Sequence, residues 1–170
     1  MRKKIIKTFQ LCLFFLPVLV SAVDVEIIAH RGASFDAPEN TLESVNLGWA
    51  KQADAVEVDV YLSKDGQIVV FHDHNTKKIA GVDLNVVDQT FSELRRLDVG
   101  AWKGKKWKGI RIPKLSDVLK TIPEGKRMFV EVKCGPEIIP ELASVFKKSG
   151  KKPEQLVVIS FDIRLLSRQK

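Results

Sequence analysis

The run Ala55-Val56-Glu57-Val58-Asp59-Val60-Tyr61 limits what this chain can become more than any other stretch. Side chains alternate faces along an extended strand, so Val56, Val58 and Val60 share one face and Glu57 and Asp59 the other. A valine face of this kind packs on helices. The two carboxylates then point into the middle of a sheet or barrel, about 6.6 Å apart along the backbone. Like charges withdrawn from water repel, so either one is protonated or a cation lies between them. A buried divalent metal is therefore the first expectation, and other strands should supply the remaining ligands.

Residues 26–29 are mostly apolar and end in His30-Arg31-Gly32, as a buried parallel strand does when it delivers polar groups at its C-terminal end. Asn40-Thr41-Leu42-Glu43 reads as a capped helix start, with Asn40 as the cap and Glu43 three residues on. Leu42, Val45 and Trp49 then mark one helix face. Ser63-Lys64-Asp65-Gly66 is a turn, and 67–71 a third strand that ends in His72-Asp73-His74, with His74 expected in solvent. Residues 75–88 have no clear period and read as loop. Thr90-Phe91-Ser92-Glu93 is a capping box opening a short helix through Leu97.

A short helix is expected at 115–121 and a fourth strand at 128–133, in which Glu131 and Lys133 share a face. A helix at 138–148, stopped by Gly150, leads to a fifth strand at 156–160. Strands alternating with helices, each strand ending in polar residues, predict a parallel α/β fold with its site at the C-terminal edge.

Four strands thus deliver ionisable groups: His30 with Arg31, Glu57 with Asp59, His72, and Glu131 with Lys133. Three carboxylates without cysteine favour a hard, oxygen-liganded ion, Ca²⁺ or Mg²⁺, over zinc. Two histidines can act as general base and general acid, and Arg31 and Lys133 can hold an anion. Such a set suits phosphodiester cleavage, where positive groups offset charge on the phosphoryl oxygens. Two alternatives stay open: Glu131 and Lys133 form a plain ion pair, or Glu57 and Asp59 pair with Arg31 and Lys133 without a metal.

The runs Ala29-His30-Arg31-Gly32-Ala33, Ala37-Pro38-Glu39-Asn40-Thr41, Glu57-Val58-Asp59-Val60, His72-Asp73, Ile112-Pro113-Lys114-Leu115 and Val130-Glu131-Val132-Lys133 resemble those of the glycerophosphodiester phosphodiesterase family. The resemblance implies a TIM-type (β/α)8 barrel that hydrolyses small-molecule glycerophosphodiesters to an alcohol and glycerol 3-phosphate with Ca²⁺ or Mg²⁺. It implies metal binding by Glu57, Asp59 and Glu131, acid–base chemistry by His30 and His72, phosphate binding by Arg31 and Lys133, and a supporting role for Glu39. It also implies a barrel domain at 23–170 with a small insertion at about 75–117. A full barrel of this type takes about 250 residues, so this chain is expected to hold about the first five strands and to be incomplete. Alternatives are an inactive or non-catalytic secreted binding module, and a lysophospholipase D-like phosphodiesterase.

Residues 1–22 read as an export signal: Arg2, Lys3, Lys4 and Lys7, then an apolar run, then Val20-Ser21-Ala22 for cleavage. The protein is expected to be periplasmic or secreted, with no stable membrane anchor. Loss of these residues removes four of the 28 basic residues and no acidic one, lowering the net charge from +7 to +3. With no recognition motif, nucleic acid is not an expected partner. Cys134 is then the sole cysteine, so no internal disulfide forms. Lysines and tryptophans interleave at 101–111, which reads either as a headgroup contact or as a solvated loop.

Overall fold

The computed structural model describes residues 25–166, and the export signal expected at 1–22 lies outside them. In chain order the elements are β1 (Ile28–Ala29), α1 (Leu42–Ala50), β2 (Ala55–Leu62), β3 (Ile68–Val70), α2 (Lys77–Ala80), α3 (Phe91–Leu94), α4 (Leu115–Leu119), β4 (Arg127–Val132), α5 (Ile139–Ser149), β5 (Leu156–Ile159) and α6 (Ile163–Leu166). β1, β2, β4 and β5 lie side by side in that order, all parallel. Helical crossovers join them, because neighbouring parallel strands cannot be connected by a tight turn.

β3 departs from the sequence reading. It pairs antiparallel with β2, Tyr61 opposite Val69 and Leu62 opposite Ile68. The turn at Ser63-Lys64-Asp65-Gly66 is too short for a crossover and folds the chain back as a hairpin. Among the described residues the barrel order is therefore carried by four strands, and β3 is a flap on the end of β2.

The alternation along β2 sorts as its sequence demands. Val56, Val58 and Val60 are fully buried with Met128, Val130 and Val132 of β4, beneath Val45 of α1, Leu115, Val118 and Leu119 of α4, and Leu142 of α5. Each such side chain contributes about 1.5–3 kcal/mol when removed from water. A second core gathers Tyr61, Val69 and Phe71 with Ile79, Val86, Phe91, Leu94, Val99 and Ile112. Tyr61 shares the face of Glu57 and Asp59, so the excursion between β3 and α4 packs beside the carboxylates, at the C-terminal end of β2. Within it, the stretch read as loop at 75–88 forms α2 and a 3-10 turn at Val86–Asp88, held by burial of Ile79 and Val86 rather than by any helical period. The capping box Thr90–Glu93 opens α3 as expected, although the helix ends at Leu94.

Helix α1 is capped one residue later than the sequence suggested. Thr41 is the cap, and Ser44 closes the box from the third helical position. Asn40 has φ +57° and turns its side chain elsewhere.

Candidate active site

Three carboxylates converge at the C-terminal ends of β2 and β4. Parallel register sets Asp59 beside Glu131, and Glu57 lies two residues back on the same face. One oxygen of each of Glu57, Asp59 and Glu131 lies within 4.8 Å of the others. Glu57 and Asp59 are buried, and no other group of this kind occurs among the described residues.

The loop after β1 clamps this cluster. The Arg31 main-chain N–H donates to Glu57 Oε2 at 2.8 Å, and the Arg31 Nη1 reaches Glu39 Oε1 at 2.9 Å. Arg31 Nε stands 3.4 Å from Asp59 Oδ2. Asn40 Nδ2 donates to Asp59 Oδ2 at 2.8 Å, and the Asp59 main-chain N–H donates to Asn40 Oδ1 at 3.0 Å. Arg31 and Asn40 both adopt left-handed backbone, at φ +56° and +57°, a conformation that non-glycine residues hold only when their surroundings enforce it. Here the Arg31 carbonyl accepts from the Asn40 main-chain N–H at 3.1 Å and from Ser44 Oγ at 3.0 Å. On the other side, Lys133 Nζ donates to Glu131 Oε1 at 2.8 Å and lies 3.6 Å from Asp59 Oδ1.

Both ion-pair alternatives are thus present in the geometry, but they leave the cluster unsatisfied. Glu57 Oε1 and Asp59 Oδ1 are buried and accept no hydrogen bond. Burial, reinforced by the charges of Asp59 and Glu131, pushes the Glu57 carboxyl up from 4.5 to about 7. Burial also raises Asp59, against the pull of Asn40, His72, Arg31 and Lys133. Two orphaned anionic oxygens in a set of hard donors are what an oxygen-liganded divalent cation would satisfy, so the residues fit Ca²⁺ or Mg²⁺.

The histidines sit differently. His30 is largely exposed, with Nε2 3.8 Å from Glu57 Oε2. His72 is partly buried, and its Nδ1 is 2.6 Å from Asp73 Oδ1. Burial alone would raise Asp73, but the hydrogen bond with His72 and the Lys78 ammonium outweigh it and hold the carboxyl below its usual range. An ionised Asp73 orients the ring and favours a proton on Nδ1, which leaves Nε2 to exchange protons. His72 lies near enough to act electrostatically on Asp59. His74 is exposed, as expected.

The structure therefore brings together Arg31, Glu57, Asp59, Glu131 and Lys133 in direct contact, with Glu39 acting through Arg31 and the two histidines flanking. Two residues that the sequence reading left without a site role are Asn40 and Asp73. Both stand inside the family-like runs, Asn40 next to Glu39 and Asp73 next to His72, but a sequence does not show their hydrogen bonds.

A partial parallel (β/α) barrel that gathers hard oxygen donors and fixed cations at its strand ends defines a TIM-type barrel protein suited to a metal and an anion together. The chain belongs to the glycerophosphoryl diester phosphodiesterase family, whose model matches residues 30–168. It is 39% identical over 144 residues to YhdW of Bacillus subtilis, an alignment covering 84% of this chain and 59% of that protein. It is 33% identical over 137 residues to a lysophospholipase D of Rattus norvegicus, covering 77% of this chain and 43% of that one. Among solved structures it matches an Oleispira antarctica phosphodiesterase in complex with the product sn-glycerol-3-phosphate, at 34% identity and a TM-score of 0.79, over 84% of this chain and 60% of that chain. The chain thus spans between about two fifths and three fifths of the length of these relatives.

Proposed function

We propose that this polypeptide carries the metal-binding and proton-transferring part of a phosphodiesterase that hydrolyses glycerophosphodiesters to an alcohol and glycerol 3-phosphate. The observation that carries the reading is the trio Glu57, Asp59 and Glu131, with orphaned oxygens, set between Arg31 and Lys133. Membership of the family and the product-bound relative support it.

Glu57, Asp59 and Glu131 would hold the cation, Ca²⁺ or Mg²⁺, which when bound supplies positive charge to the phosphoryl oxygens. Arg31 and Lys133 bind those oxygens and fix the phosphate against the strand ends. Glu39 keeps the Arg31 guanidinium aimed inward. One of His30 and His72 takes a proton from the attacking nucleophile while the P–O bond to the alcohol breaks, and the other gives its proton to the leaving oxygen. Asp73 holds the His72 ring in one tautomer through this exchange. The barrel domain at 23–170, its insertion at about 75–117, and export through residues 1–22 belong to the same reading.

Glycerol 3-phosphate released from glycerophosphocholine is the direct test. Release with Ca²⁺ or Mg²⁺ that stops on chelation and returns on re-addition is the expected result. Release unaffected by chelation would remove the metal from the reaction, and a cooperative melt without turnover would favour a binding module. The lysophospholipase D relative supports a second reading, a lipid phosphodiesterase, which predicts faster turnover of micellar lysophospholipid than of glycerophosphocholine.

A further inference from the structure

The lysine–tryptophan run at 101–111 has no part in the chemistry above, yet it does not drift free of the site. Lys103 Nζ donates to the Ser34 carbonyl at 2.7 Å, which ties the turn Ala101–Lys103 to the loop that carries Arg31 and Glu39. Beside Ser34, Phe35 is 91% exposed. Trp102 is 44% exposed, and its indole N–H points inward to the Val99 carbonyl at 2.9 Å, so that polar handle is already occupied. Lys103 covers the Trp102 ring at 5.4 Å and Lys106 the Trp107 ring at 4.7 Å, which takes these faces away from stacking on bases.

The acids nearby do not cancel the lysines. The Asp98 carboxylate is engaged locally, accepting from the main-chain N–H groups of Gly100, Ala101 and Gly109. Asp36 is paired with Lys51 at 2.6 Å and feels Lys103 and Lys106 more weakly, so it offsets those two only in part. Lys105 and Lys108 form no ion pair among the described residues. The result is two exposed aromatic side chains, Phe35 and Trp102, joined through Lys103 and carried on the same segments as Lys105, Lys106 and Lys108, next to the loop that holds Arg31 and Glu39.

We propose that Phe35, Trp102, Lys103, Lys105, Lys106 and Lys108 form a docking surface for an anionic lipid–water interface. Aromatic rings with an occupied polar end settle at the headgroup level, and lysines around them are drawn to anionic headgroups. A docked rim would bring phosphodiesters of the lipid surface to the mouth where Arg31 and Lys133 lie. The docking stands on the rim alone, whereas its service to the site rests on the proposed hydrolysis.

The full chain tests this directly, because its three tryptophans are Trp49, Trp102 and Trp107 and residues 1–22 contain none. Trp49 is held against Thr121 by a 3.1 Å hydrogen bond, away from the rim, and serves as the unquenched baseline. Vesicles of phosphatidylglycerol containing brominated acyl chains are expected to quench Trp102, less so as salt is added. Each lysine near such a surface contributes about fivefold in binding, so K105E/K106E should weaken vesicle affinity by more than about tenfold. F35A should weaken it at unchanged salt dependence. Turnover of water-soluble glycerophosphocholine should be the same in the parent and both variants. Quenching that K105E/K106E abolishes, in a chain that turns over nothing, supports the docking and defeats the phosphodiesterase reading. No quenching, quenching that K105E/K106E leaves intact, or capture of single-stranded RNA in preference to vesicles overturns the docking.

Discussion

Asp59 is fully buried and must stay aimed at its neighbours through any exchange of cation or proton. Asn40 does this with one amide: its Nδ2 takes the carboxylate oxygen and its Oδ1 takes the main-chain N–H of the same residue. Removing the amide leaves a buried donor and a buried acceptor unpaired, at a cost of about 1–3 kcal/mol. Asn40→Ala is therefore expected to lower the melting temperature and to weaken Ca²⁺ binding, measured by calorimetry, by about 10–100-fold, the range for a lost outer partner of a ligand. Unchanged affinity in a folded variant would reduce Asn40 to a scaffold residue. The sequence could not reveal this role, because Asn40 and Thr41 are both good helix caps and nothing local chooses between them. The choice is made by Asp59, 19 residues away. Glu57, Asp59 and Glu131, by contrast, were legible, since period-two alternation among valines leaves a strand carboxylate only one face to occupy.

At the scale of elements, the turn from β1 into the site depends on Gly32. Its φ is +74°, its N–H donates to the carbonyls of Ala29 and Glu57, and a Cβ there would lie 2.5 Å from the backbone of Ser44 in α1. Left-handed backbone alone costs an L-residue about 1–2 kcal/mol, and the helix cannot retreat without disturbing Val45 in the core. Gly32→Ala is expected to lose more than about 2 kcal/mol in urea unfolding, clearly more than Gly66→Ala at the hairpin, where φ is the same but no atom lies within 4 Å, so only the backbone cost of about 1–2 kcal/mol remains. If the two variants unfold alike, backbone conformation rather than the close approach to α1 sets the cost. The elements of the fold were read from sequence nearly in place, but the direction of β3 was not. An apolar strand reads the same in either direction, and only the short connection from Ser63 to Gln67 forbade a parallel partner. Helix α2 was illegible for a different reason: four residues are too few for a period, and its anchoring partners lie elsewhere in the second core.

The whole molecule feels the crowded carboxylates through its pH dependence. Burial, with Asp59 and Glu131 close by, lets folded Glu57 keep its proton to about pH 7, whereas the unfolded carboxyl gives it up near 4.5. The native state then binds more protons across that window, so stability without metal falls as pH rises from about 4.5 to about 7 and stays lower above it. Asp59, also raised by burial, acts in the same sense. Asp54, Asp65 and Asp98 are held below 3.8 and change outside the window. Melting of the chelated chain is expected to fall between about pH 5 and about pH 7.5, and saturating Ca²⁺ should restore it at the upper end, because a cation takes the place of the proton. Glu57→Gln should flatten the fall and weaken Ca²⁺ binding together. An equal pH slope in parent and variant would locate the effect elsewhere.

One consequence of the strand order concerns time rather than energy. Asp59 and Glu131 are neighbours across the β2–β4 ladder yet about 70 residues apart along the chain, a closure costing several kcal/mol of entropy, roughly (3/2)RT ln n, before any contact rewards it. The hairpin and its attached second core are mostly local and can form first, shortening the stretch that remains to be closed. On this order of events the carboxylate cluster is completed late, when pairing of β2 with β4 brings Glu131 to Glu57 and Asp59, which are already neighbours along β2.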